Sequence, residues 1–303
     1  MELPADPEAV QDRLRPGSTP GAAGHAMRLA VAVAVTASCV LALSPGGGDR
    51  NAAVADAAAA SGPNAVARDC HTIDNVAGPS RQHGSTLARL TAKIKAYKRP
   101  KTASPKVTLK PETAWSGQPT RLLVLEARCR GGTAWLRVLL PSRPNGHSRW
   151  IQRREAVLSR TNYWIDVSLN GRKVRVLRRG EIVREVKAVI GAPATPTPVG
   201  LAAVYENVRL PGRNDFLGSR ALHLTSHSDQ LFNYGGGKGR VALHGRGGAS
   251  LKDPLGSARS HGCIRINNGP VEWISARVPT GTPVYVGRPD KVWPLVYRMV
   301  GTS

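Results

Sequence analysis

The residues best suited to chemistry cluster around one cysteine. Cys263 lies two positions after His261 and three after Ser260, and Arg265 follows it closely. A second imidazole, His244, stands nineteen residues before the cysteine, at the end of a short apolar run. A thiol becomes a strong nucleophile near neutral pH when a base or a cation lies beside it, and histidine has a pKa suited to that task. These residue types predict an acyl-transfer site with Cys263 as the nucleophile.

Other roles for these residues are open from the sequence. Cys263 is alternatively a buried, inert thiol, but the two histidines and the arginine near it favour a reactive one. Gly262 adds to this, because glycine lets backbone N–H groups approach a substrate carbonyl and stabilise an oxyanion. Ser260 either orients the loop or contacts the catalytic histidine, and Arg265 is either a substrate ligand or a solvated charge.

The cysteine count supports an unpaired thiol. The chain has four cysteines, and Cys39 lies in an apolar N-terminal run. Cys70 and Cys129 lie in one region and are candidates for a disulfide, which would stabilise the fold by about 4 kcal/mol on a chain-entropy estimate. Cys263 is then the odd cysteine. In an exported protein such a thiol is an intermolecular partner, an accident or a nucleophile.

The N-terminal region 1–67 predicts export. Residues 29–43 are almost all apolar or small, which is too short a run for a comfortable bilayer span but suits an export signal. Acidic residues before Met27 fit a signal poorly, so translation starts at Met1 or at Met27, and the run is either cleaved or kept as an anchor. From 46 to 67 the composition predicts a disordered linker.

The net charge of +23 favours acidic partners without identifying them. Nucleic acid, membrane headgroups and anionic wall polymers would all be attracted to it. The basic residues are spread along the chain and form no compact run interleaved with stacking aromatics, so no nucleic-acid partner is expected. A membrane contact is expected only through the N-terminal segment, if that segment stays uncleaved.

Residues 68–160 predict a small β-barrel of about five short strands. Residues 85–97 form either a short amphipathic helix or a first strand. Further β-type runs, separated by turn residues, lie at 106–109, 121–125, 134–140 and 148–151. The runs 132–138 and 144–151 resemble the distal hairpin and closing strand of bacterial SH3-like domains. Such domains either hold wall peptides or serve as spacers, and both roles stay open.

A second β-rich unit begins near residue 161. Two alternating runs around the turn dipeptide Asn170-Gly171 predict a hairpin. The prolines between 191 and 200 lack N–H donors and predict a loop. Residues 270–278 predict a helix with an apolar face. Further strands are predicted at 181–190, 221–226, 241–245 and 281–286.

The segment from about 163 to 288 resembles the L,D-transpeptidase catalytic domain, also called the YkuD-like domain. The likeness rests on the order of the hairpin, the loop 195–200, His244-Gly245, the segment 260–265 with Asn268, and the last strand. It implies a mainly β fold, in which an L,D-transpeptidase-type β-sandwich follows the small SH3-like β-barrel. The chain is thus expected to divide into 1–67, a β-barrel at 68–160, a catalytic domain at 161–290 and a tail at 291–303.

The resemblance also implies roles for individual residues. Cys263 would be the nucleophile, and His244 would be the base that takes its proton. The main-chain carbonyl of Gly245 would orient the His244 ring, and His261 would shape the site and its electrostatics. Main-chain amides around Gly262 and Cys263 would form the oxyanion hole.

Substrate binding would involve three further residues. Arg265 would pair with a substrate carboxylate. Ser260 and Asn268 are also assigned to substrate binding. For Asn268 the alternative is a cap on the following helix.

The implied reaction is peptidoglycan cross-linking in cell-wall biogenesis. The Cys263 thiolate attacks the amide before the terminal D-Ala of a tetrapeptide stem, and the thioester is resolved by the side-chain amine of another stem. The reaction implies no cofactor and no metal, and it places the enzyme at the cell wall or on the outer face of the cytoplasmic membrane. The alternatives are an L,D-carboxypeptidase, in which water resolves the thioester, and an inactive wall-binding protein.

Three features depart from the family or suggest other chemistry. Arg246 stands where a small or hydroxyl residue is common, which would alter the acceptor pocket. The glycine-rich stretch 228–240 would form a flexible lid. His223 and His227 are four apart, but the sequence around them is typical of a strand and no third ligand stands at a recognisable spacing, so zinc is not expected.

Overall fold

The computed structural model of the protein describes residues 69–212, 214–233 and 237–287. The predicted export segment with Cys39, both candidate start sites, the disordered linker and the C-terminal tail lie outside these ranges. Within the described ranges, no helix is long and apolar enough to cross a membrane.

The first unit is one antiparallel sheet of seven strands. In chain order they are β1 (Ser85–Leu90), β2 (Ile94–Tyr97), β3 (Lys106–Leu109), β4 (Arg121–Arg130), β5 (Thr133–Leu139), β6 (Ser148–Gln152) and β7 (Ala156–Thr161). Their order across the sheet is β3-β2-β6-β5-β4-β1-β7. Four of the predicted runs correspond to β3, β4, β5 and β6. Strand β7 was not predicted, and the likeness to an SH3 barrel remains a prediction.

Residues 85–97 form two strands and no helix. Strand β1 is buried along almost its whole length because it lies between β4 and β7 and is covered on both faces. Ala88 and Leu90 pack into the core of the first unit. Leu87, one position away, packs instead against Ala203 of the second unit. Burial on both faces removes the alternating pattern that identifies a strand in sequence.

The structure joins Cys70 to Cys129, with 5.4 Å between their Cα atoms. Cys129 lies near the end of β4, and Asp69, beside Cys70, accepts a hydrogen bond of 2.8 Å from the Ala134 amide of β5. The bridge therefore fastens the first described residues to the β4–β5 hairpin.

The second unit is built on an eight-stranded sheet. Its elements are β8 (Tyr163–Ser168), β9 (Lys173–Arg178), β10 (Glu181–Lys187), β11 (Ile190–Gly191), β12 (Gly200–Arg209), β13 (Arg220–His227), β14 (Arg240–His244), β15 (Ala258–Ser260), β16 (Ile264–Arg265), helix α1 (Asn268–Arg277) and β17 (Pro283–Gly287). The sheet order is β10-β9-β8-β17-β12-β13-β14-β16, and β11 pairs separately with β15. The predicted mainly β fold class is confirmed.

The sheet curls around one core. Strands from across the sheet contribute apolar side chains to the same cluster, which also includes Val271, Ile274 and Val278 from the α1 region. The predicted apolar face of the helix therefore packs against the sheet. The helix itself begins two residues before the predicted start and ends one residue before the predicted end.

The predicted hairpin exists, but its turn differs from the expected one. Strands β8 and β9 pair as far as Ser168 opposite Lys173, so four residues form the connection. The positive φ of 48° falls on Arg172 and not on Gly171. Asn170-Gly171 therefore marks the turn correctly, but it is not a two-residue turn.

The two units pack directly against each other. Leu87, Leu123 and Leu139 of the first sheet form an apolar cluster with Ala203 of β12. Only Asn162 separates β7 from β8. This interface matters for the site, because loops of the first unit reach the cavity described next.

Candidate active site

Strand pairing brings His244 to the cysteine segment. Strand β14 pairs in parallel with β16, so that His244 lies opposite Arg265, two residues after Cys263. The Ile266 amide donates to the His244 carbonyl oxygen over 3.0 Å, and Arg265 also bridges to Val189. Parallel strands carry their carboxyl ends to the same edge of a sheet. The nineteen-residue gap in sequence is therefore closed by the sheet itself.

His244 and Cys263 line one cavity of about 270 Å³. His261 and Arg265 line the same cavity, together with side chains from β12 to β14. Cys263 is half-buried and is the one cysteine among the described residues that lies outside a disulfide. Four residues that the sequence assigned to the site thus surround a single space.

His244 is fully buried and held in a fixed orientation. Its Nδ1 lies 2.7 Å from the carbonyl oxygen of Gly245. A carbonyl only accepts hydrogen bonds, so this contact places the proton of the neutral ring on Nδ1 and leaves Nε2 as the basic nitrogen. Burial first and the charge of Arg265 second lower the pKa of His244 to about 3, against smaller opposing effects of the Gly245 and Leu217 backbones. The ring is therefore neutral at pH 7.

Ser260 shapes the cysteine turn and does not face the cavity. Its side chain is fully buried and donates to the carbonyl oxygen of Cys263 over 2.6 Å. It also accepts a hydrogen bond of 3.1 Å from the Gly262 amide. The substrate-binding assignment of Ser260 does not fit this geometry, because its hydroxyl is used inside the turn. Of its two predicted roles, the structure gives it the orienting one.

The same contact occupies one of the two amides, those of Gly262 and Cys263, that were predicted for the oxyanion hole. The Gly262 amide is directed at Ser260, so it is not aimed at a substrate oxygen in this structure. Gly262 has a φ of 111°, a conformation that side chains rarely adopt, and this explains glycine at the position without any role in catalysis.

Asn268 braces the residues after His244. Its Oδ1 accepts hydrogen bonds from the amides of Ser219 and Arg246, over 3.1 and 3.2 Å, and its Nδ2 donates to the Arg246 carbonyl over 3.0 Å. A Cβ atom on Gly245 would come within 2.1 Å of Asn268 Oδ1. Asn268 is the first residue of α1, and the N-cap is Asn267. Neither the substrate-binding nor the capping assignment of Asn268 fits; the side chain positions the Gly245 region.

Arg265 already has a carboxylate partner. Its Nη1 lies 2.6 Å from Oδ2 of Asp253, and its guanidinium stacks over the Phe216 ring at 4.6 Å. The side chain is 4% exposed, so this ion pair is shielded from solvent. The predicted pairing of Arg265 with a substrate carboxylate therefore competes with Asp253.

Arg246 points away from the cavity. Its guanidinium donates to backbone carbonyls of the following loop, most closely to Asp253 over 2.6 Å and Leu251 over 3.1 Å. It therefore holds the loop that carries the partner of Arg265. Arg246, which differs from the small or hydroxyl residue common in the family, was expected to alter the acceptor pocket. It does not line the cavity, so it cannot do so by direct contact.

The structure adds a polar group that the sequence did not single out. Glu206 of β12 and Tyr205 beside it line the cavity, as do His223 of β13 and Trp115 of the first unit. Burial first and Arg240 second lower the pKa of His223 to about 4, against the opposing charge of Glu206. The sequence could have indicated Glu206 only through the alternation of buried and exposed residues along β12, and β12 was not predicted as a strand.

The two histidines considered for zinc lie on β13, as the strand-like sequence predicted. They are four residues apart on that strand, and His223 lines the cavity while His227 does not. Within the described ranges, no three His, Cys, Asp or Glu side chains are grouped so that they could hold a metal ion.

Residues 162–286 match the family model of the L,D-transpeptidase catalytic domain, YkuD. A Bacillus licheniformis protein, named as a candidate L,D-transpeptidase YkuD, is 33% identical over 124 residues, which are 41% of this chain and 65% of that protein. The chain thus spans less than two thirds of this relative.

Solved L,D-transpeptidase structures are also similar. One from Mycobacterium tuberculosis is 14% identical and aligns over 69% of this chain and 100% of its own, with a TM-score of 0.36. One from Xylanimonas cellulosilytica is 26% identical over 42% of this chain and 61% of its own, with a TM-score of 0.31. Both TM-scores lie below 0.5.

Proposed function

We propose that the protein cross-links peptidoglycan through an acyl-enzyme on Cys263, and that residues 162–286, which match the family model of the YkuD L,D-transpeptidase catalytic domain, form its catalytic domain. One observation carries the proposal. The thiol of Cys263, the one described cysteine outside a disulfide, shares a cavity with a buried, oriented and neutral imidazole, that of His244. A thiol and a base held in one cavity are the minimum that acyl transfer requires.

The first half of the reaction forms a thioester. The sulfur of Cys263 attacks the carbonyl carbon between the third residue and the terminal D-Ala of a tetrapeptide stem. The thiol proton passes to Nε2 of His244 and then to the departing amine, so that the C–N bond breaks and D-Ala leaves. Because the thioester conserves the energy of the broken amide, neither a nucleotide nor a metal is required.

The second half regenerates the thiol. The side-chain amine of a second stem attacks the thioester carbon, loses a proton to His244, and becomes the new amide as the C–S bond breaks. His244 returns that proton to the departing sulfur of Cys263. With a pKa of about 3, His244 is a weak base in the resting enzyme.

The charge of the cavity suits this substrate. Lys238, Arg240 and Arg265 line it, and a tetrapeptide stem ends in a carboxylate. Cations in a partly enclosed site attract such a group more strongly than they would in water. Because Arg265 is paired with Asp253 and the Arg240 guanidinium donates to the carbonyls of Leu224 and Pro141, Lys238 is the better candidate for the substrate carboxylate.

Several wider expectations remain part of the proposal. The substrate implies export to the cell wall, with the segment 29–43 as the export signal and no other contact with the membrane. The domain limits near 160 and 290, and a bacterial SH3-like character for the first unit, are likewise proposed. A net charge of +23 suits retention among anionic wall polymers.

Mass spectrometry of the full chain with a tetrapeptide-stem muropeptide tests the proposal. We expect a stem-peptide adduct on Cys263, released D-Ala and cross-linked dimers. In Cys263→Ala the adduct and both products should disappear, while the unfolding midpoint stays within a few degrees, because the thiol is half-buried and the change removes one atom.

Other outcomes point to other functions. Trimmed monomers without dimers would mean that water is the acceptor and that the enzyme is an L,D-carboxypeptidase. Absence of any adduct with reduced, folded protein would refute the acyl-enzyme. Binding to isolated wall that survives Cys263→Ala would then indicate a wall-binding protein.

A further inference from the structure

A loop of the first unit reaches the cavity that contains Cys263. Residues 113–118 form the tip of a narrow hairpin, which is closed by a bridge between Glu112 and Pro119 and by a hydrogen bond of 2.8 Å from the Thr113 amide to the Gln118 carbonyl. Ala114 and Trp115 of this tip line the cavity. The loop belongs to the first unit, yet its tip closes the cavity of the second.

Glu206 holds the loop tip in place. One oxygen of its carboxylate, Oε1, accepts hydrogen bonds from the Trp115 amide (3.2 Å), the Ser116 amide (2.8 Å) and the Ser116 hydroxyl (2.9 Å). The side chain is 2% exposed. Burial would raise the pKa of Glu206, but hydrogen bonds from Thr113 and Ser116 outweigh this and lower it, so the group accepts as a carboxylate. Hydrogen bonds to a buried charge are among the stronger contacts in proteins.

A second contact docks the loop from outside the cavity. Gln118 donates to the carbonyl oxygen of Asn207 over 2.7 Å, through its side-chain amide. Gln118 does not line the cavity. Docking and cavity contact are thus carried by different residues of one loop.

Trp115 presents an aromatic surface to the cavity. Its ring meets the buried ring of His223 edge to face, with 5.1 Å between centroids and an interplanar angle of 81°. The rest of the side chain is only partly covered. A half-covered tryptophan on a cavity wall offers a large, rigid apolar surface that loses little entropy on binding.

We propose that Trp115 is a specificity-determining residue, through which the first unit supplies the apolar wall of the substrate cavity. The inference rests on the proposed function, since it takes a peptidoglycan stem peptide as the ligand. A stem peptide combines carboxylates with the methyl group of D-Ala and the aliphatic chain of a diamino acid. The cations of the cavity suit the carboxylates, and Trp115 gives the aliphatic part a surface to pack on. The first unit is then part of the substrate site and not a spacer.

The test compares three variants of the full chain. In steady-state assays with a tetrapeptide stem, Trp115→Ala should raise KM about five- to tenfold and leave kcat within about twofold, because uniform binding is lost and no reacting group is touched. Trp115→Phe should recover most of the affinity. Gln118→Ala, which weakens docking without removing the wall, should stay within about twofold of the parent KM.

A second readout does not need turnover. The stem peptide should protect Cys263 from alkylation by iodoacetamide, and Trp115→Ala should require about five- to tenfold more peptide for half protection. Its alkylation rate without peptide should equal that of the parent, which shows that the cavity is intact. If Trp115→Ala weakens the protection but the parent forms no acyl-enzyme, the proposed transpeptidation is refuted and the inference about Trp115 stands.

Two results would overturn the inference alone. One is normal acylation with an unchanged KM and unchanged protection in Trp115→Ala. The other is an equal loss in Gln118→Ala and Trp115→Ala, which would show that loop docking and not contact with the ring controls affinity. If Trp115→Ala unfolds, the affinity of Trp115→Phe for the peptide is compared with that of the parent. A folded Phe variant that binds the peptide as weakly as expected for Trp115→Ala contradicts an apolar wall, because Phe keeps most of the apolar surface.

Discussion

At the scale of single residues, the orientation of His244 depends on neighbours that never touch the cavity. The Gly245 carbonyl fixes the ring, and the side chain of Asn268 fixes the backbone on either side through Ser219 and Arg246. Only glycine fits at position 245, because a Cβ would collide with Asn268 Oδ1. The orientation of the His244 ring thus depends on hydrogen bonds to buried backbone groups.

Replacing Asn268 should test this bracing. Asn268→Ala leaves the amides of Ser219 and Arg246 and one carbonyl without their partner, so we expect the free energy of unfolding to fall by about 1–3 kcal/mol. We also expect a lower rate of acylation, since the His244 ring loses its fixed support. Chemical denaturation and the rate of adduct formation measure the two effects.

Asn267→Ala is the matched control for this change. Asn267 is exposed, makes no side-chain cap bond, and has one long contact of 3.4 Å from Arg246. Its replacement should cost no more than about 0.5 kcal/mol. Equal effects of the two replacements would contradict a bracing role for Asn268.

At the scale of elements, the connection between β5 and β6 clamps the glycine-rich stretch 228–240 that was expected to be a lid. The Arg143 guanidinium donates to three backbone carbonyls of this stretch, those of Ser228 (2.6 Å), Leu231 (3.1 Å) and Lys238 (3.0 Å). Asn145 exchanges two hydrogen bonds of 2.8 Å with the backbone of His227. Residues 234–236 lie outside the described ranges, and the described parts on either side are tied to the first unit.

Removing the clamp should loosen the described parts of this stretch. In Arg143→Ala, amide hydrogen exchange in 228–233 and 237–240 should accelerate about tenfold, because charge-assisted contacts to three carbonyls are lost together. Since Ser228, Leu231 and Lys238 line the cavity, KM for a stem peptide should rise as well. Hydrogen exchange followed by mass spectrometry resolves these segments.

Arg154→Ala provides the control, because Arg154 is exposed and lies in the same unit, away from the stretch. It removes one positive charge without removing the clamp. Faster exchange in both variants would assign the effect to net charge, and the clamp would then be rejected.

At the scale of the whole molecule, the buried histidines make stability depend on pH. Burial is the largest cause that lowers the pKa of His223 and His227 to about 4 and that of His244 to about 3. All three are at most 4% exposed. In the unfolded chain a histidine has a pKa of about 6.5, so between these values the unfolded state binds more protons than the folded state. Stability is therefore full above about pH 6.5 and falls as pH drops towards 4.

Denaturation at two pH values should show this loss. Each histidine with a folded pKa of about 4 should cost about 2 kcal/mol of unfolding free energy between pH 7 and pH 5. In His227→Asn the loss should shrink by about that amount, since His227 lies outside the cavity and no longer titrates. A pH dependence identical in the parent and His227→Asn would contradict the prediction.

The mainly β fold class and four residues that line the cavity could be predicted from the amino-acid sequence alone. Alternating apolar runs predicted most strands of both sheets, because one buried face per strand leaves a period of two in the sequence. Cys263, His244, His261 and Arg265 were identified by residue type and spacing, and they line one cavity. Strands β7 and β12 were not predicted, and residues 85–97 stayed open between a helix and a strand. Burial of β1 on both faces and the irregular pairing of β12 hide the period of two.

Which residues line the cavity, and which residues hold that lining in place, depends on tertiary contacts. Ser260 and Asn268 sit in the right segment, but their polar atoms are used on the backbone of Cys263 and of Ser219 and Arg246. Trp115 and Glu206 lie 91 positions apart and carry no motif. Hydrogen bonds and packing across a domain interface join residues without regard to their distance in the chain, so no local pattern records them.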